Sequence, residues 1–366
     1  MKLPLRTVAS GLAATVSVAL CSCGGAPAPT STGPCPEGWR AAVIFSTEDG
    51  AGSELAFVDG DRVIGRRTIP YRGLEASPTG IMPRLGDDVW LVANGNADRD
   101  RTDILRFSTK TCDVVATRVT EQVVRALSPA SDSFITTNTL NGAAELRRRG
   151  LDGELLAENR IEQITLTVLV RDGQKVYALG STMRGDNDQG ILLELDAASL
   201  RLLRRTTLLD TLESGISAAI RDGKLFYGRA IVTGDVEGRA LGVVSLDDLH
   251  ESTVALPHPA PFLLAETDDA LYVGHTFMNP GFRPMTEYRH VSRYDLSTGA
   301  VTTTDVGGPL LHLQPSGQRL LVLSGDVGDS ITLTTHDQPG LEPRSAVDVE
   351  VPTASGYYYV AGIVTP

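Results

Sequence analysis

Short apolar segments, separated by polar turns, recur along the chain at a nearly constant interval. The fullest unit spans residues 175–208 and holds three such segments, VYAL, ILLEL and LRLLRRTTL, divided by loops with Gly, Asp and Asn. An equivalent apolar position near the start of the first segment lies 42 to 49 residues from its counterpart in the next unit. These positions are Val43, Val89, Phe134, Val176, Leu225, Leu271 and Leu320. Self-similarity at an interval of about 40–50 residues is typical of β-propeller blades.

The composition of these segments favours strands over helices. Most are short and rich in β-branched and aromatic residues, whereas an α-solenoid would show long runs with a 3.6-residue period. Residues 192–205 alone resemble a short amphipathic helix, but their place in the repeat favours strands. Asp172-Gly173 and Asp222-Gly223 favour tight hairpin turns, so each unit is predicted to hold four strands.

The two ends of the repeat region are predicted to meet. The first unit begins at its second strand, near residue 41, and a final apolar segment at 356–364 follows the seventh unit. That segment is predicted to supply the inner strand of the first blade, because closure protects sheet edges. The sequence therefore predicts an all-β domain over residues 39–366, a seven-bladed propeller of four-stranded antiparallel blades, with eight blades as the alternative.

The start of the chain reads as a targeting segment. Lys2 and Arg6 flank the start of an apolar run at 8–20, which is typical of a secretory signal and too short for a spanning helix. The signal is predicted to cover residues 1–22. Residues 23–38 begin with an uncharged stretch rich in Pro, Ser, Thr and Gly, which predicts a tether.

Leu20-Cys21-Ser22-Cys23 resembles the bacterial lipoprotein box, in which Leu stands at −3 and a small residue at −1. The resemblance implies a lipid on Cys23 and an extracytoplasmic protein held by that lipid, in the outer membrane of a double-membraned cell because Asp is absent at position 24. A lipid with two or more acyl chains is enough for stable anchoring. The alternative is an ordinary cleaved signal and a soluble product.

Four cysteines are present, and this processing would leave Cys35 and Cys112. An even pair in an oxidising envelope is predicted to form a disulfide, with two separate buried thiols as the alternative. Loss of Lys2 and Arg6 would leave 31 basic and 45 acidic residues, a net charge of −14. Such an acidic chain is not expected to bind nucleic acid.

The repeats resemble those of YVTN-type and quinoprotein-like bacterial propellers over residues 40–364. The turn Asp295-Leu296-Ser297-Thr298-Gly299 resembles the Asp-x-x-Thr-Gly turn of the quinoprotein repeat. The resemblance implies the propeller fold. The docking Trp that follows this turn in quinoproteins is replaced here by Val-Thr-Thr-Thr, so no quinone cofactor is expected.

One loop carries alternating oxygen ligands at Asn96, Asp98 and Asp100, the opening spacing of a calcium loop. The sixth and twelfth positions hold Arg101 and Phe107 instead of Gly and Glu. A solvated loop tip is therefore favoured, with a Ca²⁺ site as the alternative and no other cofactor expected.

The sixth unit holds an unusually long loop, HTFMNPGFRPMTEYR, at residues 275–289. Apolar and aromatic residues on an otherwise acidic face predict a partner site. Its candidate contact residues are His275, Phe277, Met278, Phe282, Arg283, Met285 and Tyr288. The alternative is a loop that folds over the channel mouth and buries its own side chains.

His275 and His290 lie at the two ends of this loop and are expected to be exposed polar residues. The alternative is that their side chains converge.

Known catalytic signatures such as GxSxG, HExxH, a phosphate loop or CxxC are absent from the sequence. The favoured interpretation is a monomeric, membrane-anchored propeller that binds or scaffolds an envelope protein or an extracellular ligand. A propeller hydrolase or lactonase with Ca²⁺ near the central channel is the first alternative, and a purely structural envelope protein is the second. Catalysis by residues gathered from several blades stays open.

Overall fold

A computed structural model describes residues 33–47, 52–75, 82–94, 102–183, 189–209, 217–233, 236–276, 288–326, 330–353 and 358–366. Across these residues, 29 β-strands form seven antiparallel sheets, without an α-helix. This arrangement confirms the predicted seven-bladed β-propeller and not the eight-bladed alternative. No helix in the described ranges is long and apolar enough to cross a membrane.

Each blade has four strand positions, which follow one another from the central channel to the outer edge of the propeller. The inner strands are β4 (Leu74–Glu75), β9 (Ala126–Pro129), β13 (Ile164–Asp172), β17 (Ala218–Arg221), β21 (Pro261–Glu266), β25 (Leu310–Ser316) and β29 (Tyr358–Val364). The second strands are β1 (Ala41–Thr47), β6 (Asp88–Ala93), β10 (Ser133–Leu140), β14 (Lys175–Thr182), β18 (Lys224–Thr233), β22 (Ala270–His275) and β26 (Arg319–Asp326). The third strands are β2 (Ser53–Asp59), β7 (Thr102–Ser108), β11 (Ala143–Gly150), β15 (Gly190–Asp196), β19 (Val236–Ser245), β23 (His290–Asp295) and β27 (Ser330–Asp337). The outer strands are β3 (Arg62–Ile69), β8 (Val114–Val119), β12 (Leu155–Glu162), β16 (Leu202–Thr207), β20 (Glu251–Ala255), β24 (Val301–Asp305) and β28 (Glu342–Val349).

The second strands carry the repeat signal because they are buried on both faces. Seven of the eight residues of β14 are buried, whereas β12 alternates between exposed and half-buried positions. Side chains of neighbouring blades pack between the sheets: Ile135 of blade 3 and Val176 of blade 4 belong to one buried hydrophobic cluster. Every reference residue of the repeat lies in the second strand of its blade. Residues 192–205 contribute to β15 and β16 and not to a helix.

The C-terminal strand closes the ring as predicted. β29 pairs antiparallel with β1, from Val364 opposite Ala42 to Tyr358 opposite Thr47, and it also contacts β25 of the seventh blade. The Arg84 guanidinium donates to the Thr365 carbonyl at 3.0 Å, which fastens the end of the chain to the second blade. Strand pairing therefore closes the ring, and a side-chain hydrogen bond holds the residue after the closing strand.

Two local details differ from the sequence interpretation. In blade 2 the inner strand is divided, because β4 pairs with one end of β6 while β5 (Arg84–Leu85) pairs with the other. In blade 4, Asp172 pairs with Lys175, which places the turn one residue later than predicted. The blade 5 turn has the predicted residues, Asp222 and Gly223, both with positive φ (49° and 68°) as a tight hairpin requires.

The predicted disulfide is present. Cys35 is bonded to Cys112, with their Cα atoms 5.2 Å apart. Cys112 lies in the turn between β7 and β8, so the bond ties the segment before β1 to blade 2. The Arg67 side chain, on β3, donates to the carbonyls of Gly33 and Pro34. The start of the described chain is thus fixed to two blades.

Candidate functional site

Three histidines meet at one edge of blade 6. His275 ends β22 and lies opposite His290, the first residue of β23, which in turn lies opposite Asp305 at the end of β24. Directly opposite residues of an antiparallel sheet present their side chains on the same face. The third histidine, His258, comes from residues 256–260, which connect blades 5 and 6. The sheet register and one connection together build the cluster.

The rings of this histidine cluster are in contact. The His258 ring stacks on the His290 ring with 3.6 Å between centroids and 11° between planes. It also meets the His275 ring edge-on, with 5.6 Å between centroids and 71° between planes. Neutral rings tolerate this arrangement, whereas two imidazolium charges at such a distance repel each other.

His275 is buried, with 1% of its surface exposed. Its Nδ1 atom lies 2.8 Å from the Pro259 carbonyl, and its Nε2 atom lies 2.7 Å from the Ser292 hydroxyl. A carbonyl only accepts, so Nδ1 carries the proton and Nε2 accepts one from Ser292. Burial lowers the pKa of His275 to about 4. The residue is therefore a neutral, buried part of the blade, and its interpretation as an exposed loop end is wrong; convergence with His290 is what the structure shows.

The other two rings also favour the neutral form. Burial lowers the pKa of His258, and the neighbouring His290 and Arg239 lower it further. Burial lowers the pKa of His290 as well, against the opposing charge of Asp305. All three rings are thus uncharged near neutral pH.

Contact between Ser292 and His275 does not make a catalytic pair. Ser292 is fully buried, and its hydroxyl lies 2.7 Å from the Thr303 hydroxyl. A nucleophile needs access to its substrate as well as a nearby base. These bonds therefore position the His275 ring within the sheet.

Burial of His275 predicts a loss of stability in acid. Its folded pKa of about 4 lies below an unfolded value of about 6.5, so the unfolded chain binds the proton first as pH falls. The stabilisation is complete above pH 6.5 and is lost down to pH 4, by roughly 3 kcal/mol. Urea denaturation of the wild type and of His275→Gln across this range should give a flatter pH profile for the variant. His250→Gln, at an exposed histidine, serves as control, and equal slopes for all three proteins would contradict the prediction.

Both described ends of the predicted partner loop are held in place. The Thr276 amide donates to the Ala260 carbonyl at 3.0 Å, and its hydroxyl donates to the Leu310 carbonyl at 2.8 Å. Tyr288 is buried, and its carbonyl accepts the Leu310 amide at 2.7 Å. The loop therefore starts and ends on contacts with the connection before blade 6 and with the first residue of β25 in blade 7.

Several predicted site residues lie outside the described ranges, and the predictions for them stay predictions. They are Cys23, Asn96, Asp98, Asp100, Phe277, Met278, Phe282, Arg283 and Met285. Of the predicted contact residues that are described, His275 and Tyr288 are both buried. Within the described part of the chain, no three His, Cys, Asp or Glu side chains form a group able to hold a metal ion.

No protein-family model matches the chain, and no curated protein matches it in sequence. Solved propeller structures do match. A hypothetical selenium-binding protein of Sulfolobus tokodaii has a TM-score of 0.59 at 12% identity, over 90% of this chain and 94% of that one. A Bacteroides fragilis protein provisionally named as a 6-phosphogluconolactonase has a TM-score of 0.56 at 12% identity, over 90% and 98%. This similarity shows the fold alone: the chain is a seven-bladed β-propeller.

Proposed function

We propose that this propeller is a lipid-anchored extracytoplasmic binding module, and that it contacts an envelope protein or extracellular ligand through residues 277–287. The observation that carries the proposal is the fixed base of this loop, where Thr276 and Tyr288 are both hydrogen-bonded to Leu310, the first residue of β25. A loop whose ends are already ordered loses less entropy on binding.

The residue types within 277–287 support the same proposal. Phe277, Phe282 and Arg283 belong to the classes that are enriched in protein interfaces and supply much of their binding energy. These residues stand out in a chain with a net charge of −12. A protein or ligand surface with an apolar centre for the two Phe rings and one acidic group opposite Arg283 would match them.

Replacing residues 277–287 by a Gly/Ser segment of equal length is expected to abolish partner capture. The variant retains the buried Thr276 and Tyr288, so its melting temperature should stay near that of the wild type. Crosslinking and co-purification from native membranes measure capture. The control variant has residues 184–188, in the corresponding connection of blade 4, replaced by a Gly/Ser segment of the same length as 184–188. This control should still capture the partner. Capture that survives the 277–287 replacement would contradict the proposed surface.

Two further measurements separate this proposal from the alternatives. Cys23→Ala should move the protein from the membrane fraction to the soluble fraction, because lipid attachment needs that thiol. A melting temperature that falls by several degrees in EDTA and recovers with Ca²⁺ would favour the Ca²⁺-dependent hydrolase or lactonase, since a bound ion stabilises the folded state.

A further inference from the structure

We propose that the stacked rings of His258 and His290 form an acid-sensitive latch. In its neutral state the latch holds residues 256–260 against the edge of blade 6, and protonation releases them. Only the role of the latch rests on the proposed function: if residues 277–287 bind a partner, the latch would control the loop that starts after Thr276. The latch itself follows from contacts among described residues.

The conformation of the connection that carries His258 is maintained by contacts with neighbouring strands. It reads Leu-Pro-His-Pro-Ala, and the two prolines limit the backbone freedom of the segment. Its ends, Leu256 and Ala260, are buried. Ala260 has a φ of +53°, a conformation that costs energy for a residue other than Gly. Contacts with neighbouring strands therefore maintain this conformation against a local preference.

Those contacts reach the first residues of the partner loop. The Ala260 amide donates to the Gly238 carbonyl at 2.9 Å, which attaches the connection to blade 5. On the other side, His275 Nδ1 donates to the Pro259 carbonyl at 2.8 Å, and the Thr276 amide donates to the Ala260 carbonyl at 3.0 Å. Movement of the connection would therefore break the amide bond of Thr276 to Ala260 and leave Thr276 held only through its hydroxyl bond to Leu310.

The charges around the stack make protonation disruptive. His258 faces Arg239 from β19, Asp305 from β24 and the other two histidines, while His290 also faces Arg289. Asp305 is the acid among these groups, and its carboxylate is already paired with Arg289 at 2.9 Å. One shared carboxylate cannot balance two arginines and two imidazolium rings, so a second proton pushes the stacked rings apart.

Hydrogen exchange of the mature full-length protein tests the latch. Peptides that cover 256–260 and 275–276 are compared at pH 7.5 and 5.5, with exchange times scaled for the intrinsic effect of pH. The corrected exchange rate of the wild type is expected to rise at least tenfold at pH 5.5. His275 is neutral in the folded state in this window, because its pKa is about 4. Its protonation on opening is common to the wild type and to variants at His258, so the difference between those proteins measures the effect of the stacked rings.

His258→Phe is the informative variant. The Phe ring keeps the stack, and a protonated His290 is attracted to its face, so the latch should stay closed at pH 5.5. His250→Phe, at an exposed histidine of the same chain, should respond as the wild type does. Unchanged wild-type protection at pH 5.5, or equal opening in His258→Phe, would overturn the latch. Opening in acid with a partner still captured by the 277–287 replacement would support the latch and refute the proposed partner surface instead.

Discussion

Replacement of Glu121 by alanine is expected to lower the free energy of unfolding by about 3–5 kcal/mol. The Glu121 side chain is 1% exposed and lies 3.1 Å from the guanidinium of Arg149, which is 7% exposed. Its other oxygen accepts the Thr136 hydroxyl at 2.8 Å. Truncation leaves a buried guanidinium without its carboxylate and a buried hydroxyl without its acceptor, and both changes are costly.

Urea denaturation followed by tryptophan fluorescence measures this loss, because Trp90 packs at the same junction between blades 2 and 3. Glu162→Ala is the matched control. Glu162 is 67% exposed and pairs with Arg160 at 2.8 Å, so its removal should cost less than about 1 kcal/mol. If the free energy of unfolding of the Glu121 variant lies within about 1 kcal/mol of the wild-type value, the buried pair contributes little to the stability of the junction.

Removal of the disulfide is expected to destabilise the protein by about 4 kcal/mol. Cys35 and Cys112 are 77 residues apart, and opening a loop of that length restores much conformational entropy to the unfolded chain. The double variant Cys35→Ser/Cys112→Ser should therefore unfold at a lower urea concentration. The segment around Gly33 should also lose protection from hydrogen exchange, since the bond to Cys112 ends.

Reduction provides an independent check of the same bond. Dithiothreitol should bring the wild type to the stability of the double serine variant and leave that variant unchanged. A wild type that unfolds at the same urea concentration with and without dithiothreitol would contradict a stabilising role. The fluorescence of Trp39, which packs edge-on against Phe57 at 5.4 Å between ring centroids, reports on the neighbouring blade 1.

The repeat made the architecture predictable from the sequence. A second strand such as β14 is buried on both faces, so it reads as a continuous apolar run and recurs once in every blade. Closure by the C-terminal strand was also predictable, because the first repeat unit begins at its second strand and the apolar segment at 356–364 follows the seventh unit. Cys35 and Cys112 were paired by elimination of the other cysteines, and the structure confirms the bond.

The candidate site was predicted only in part. The length and composition of the loop at 275–289 singled out blade 6, but His258 was not connected with it. The available signal was a histidine between two prolines, Pro257 and Pro259, where a connection enters the next blade. Its contact with His290, 32 positions later, depends on how far that connection crosses the edge of the sheet. Nothing in the periodicity of the strands encodes that path.

The sequence alone was enough to predict the all-β class and the closing strand, because burial of alternate or continuous apolar residues is a local property of each strand. It predicted seven blades with eight as the alternative, and the assembled ring settled that number at seven. Tertiary structure alone decided which polar groups meet between elements. Glu121 forms an ion pair with Arg149, and the His258 ring stacks on the His290 ring. Glu121 and His258 both lie in connections whose course depends on the packing of whole blades. Ionisation is decided at the same level, since the burial that keeps His275 neutral exists only once neighbouring strands and connections have assembled around it.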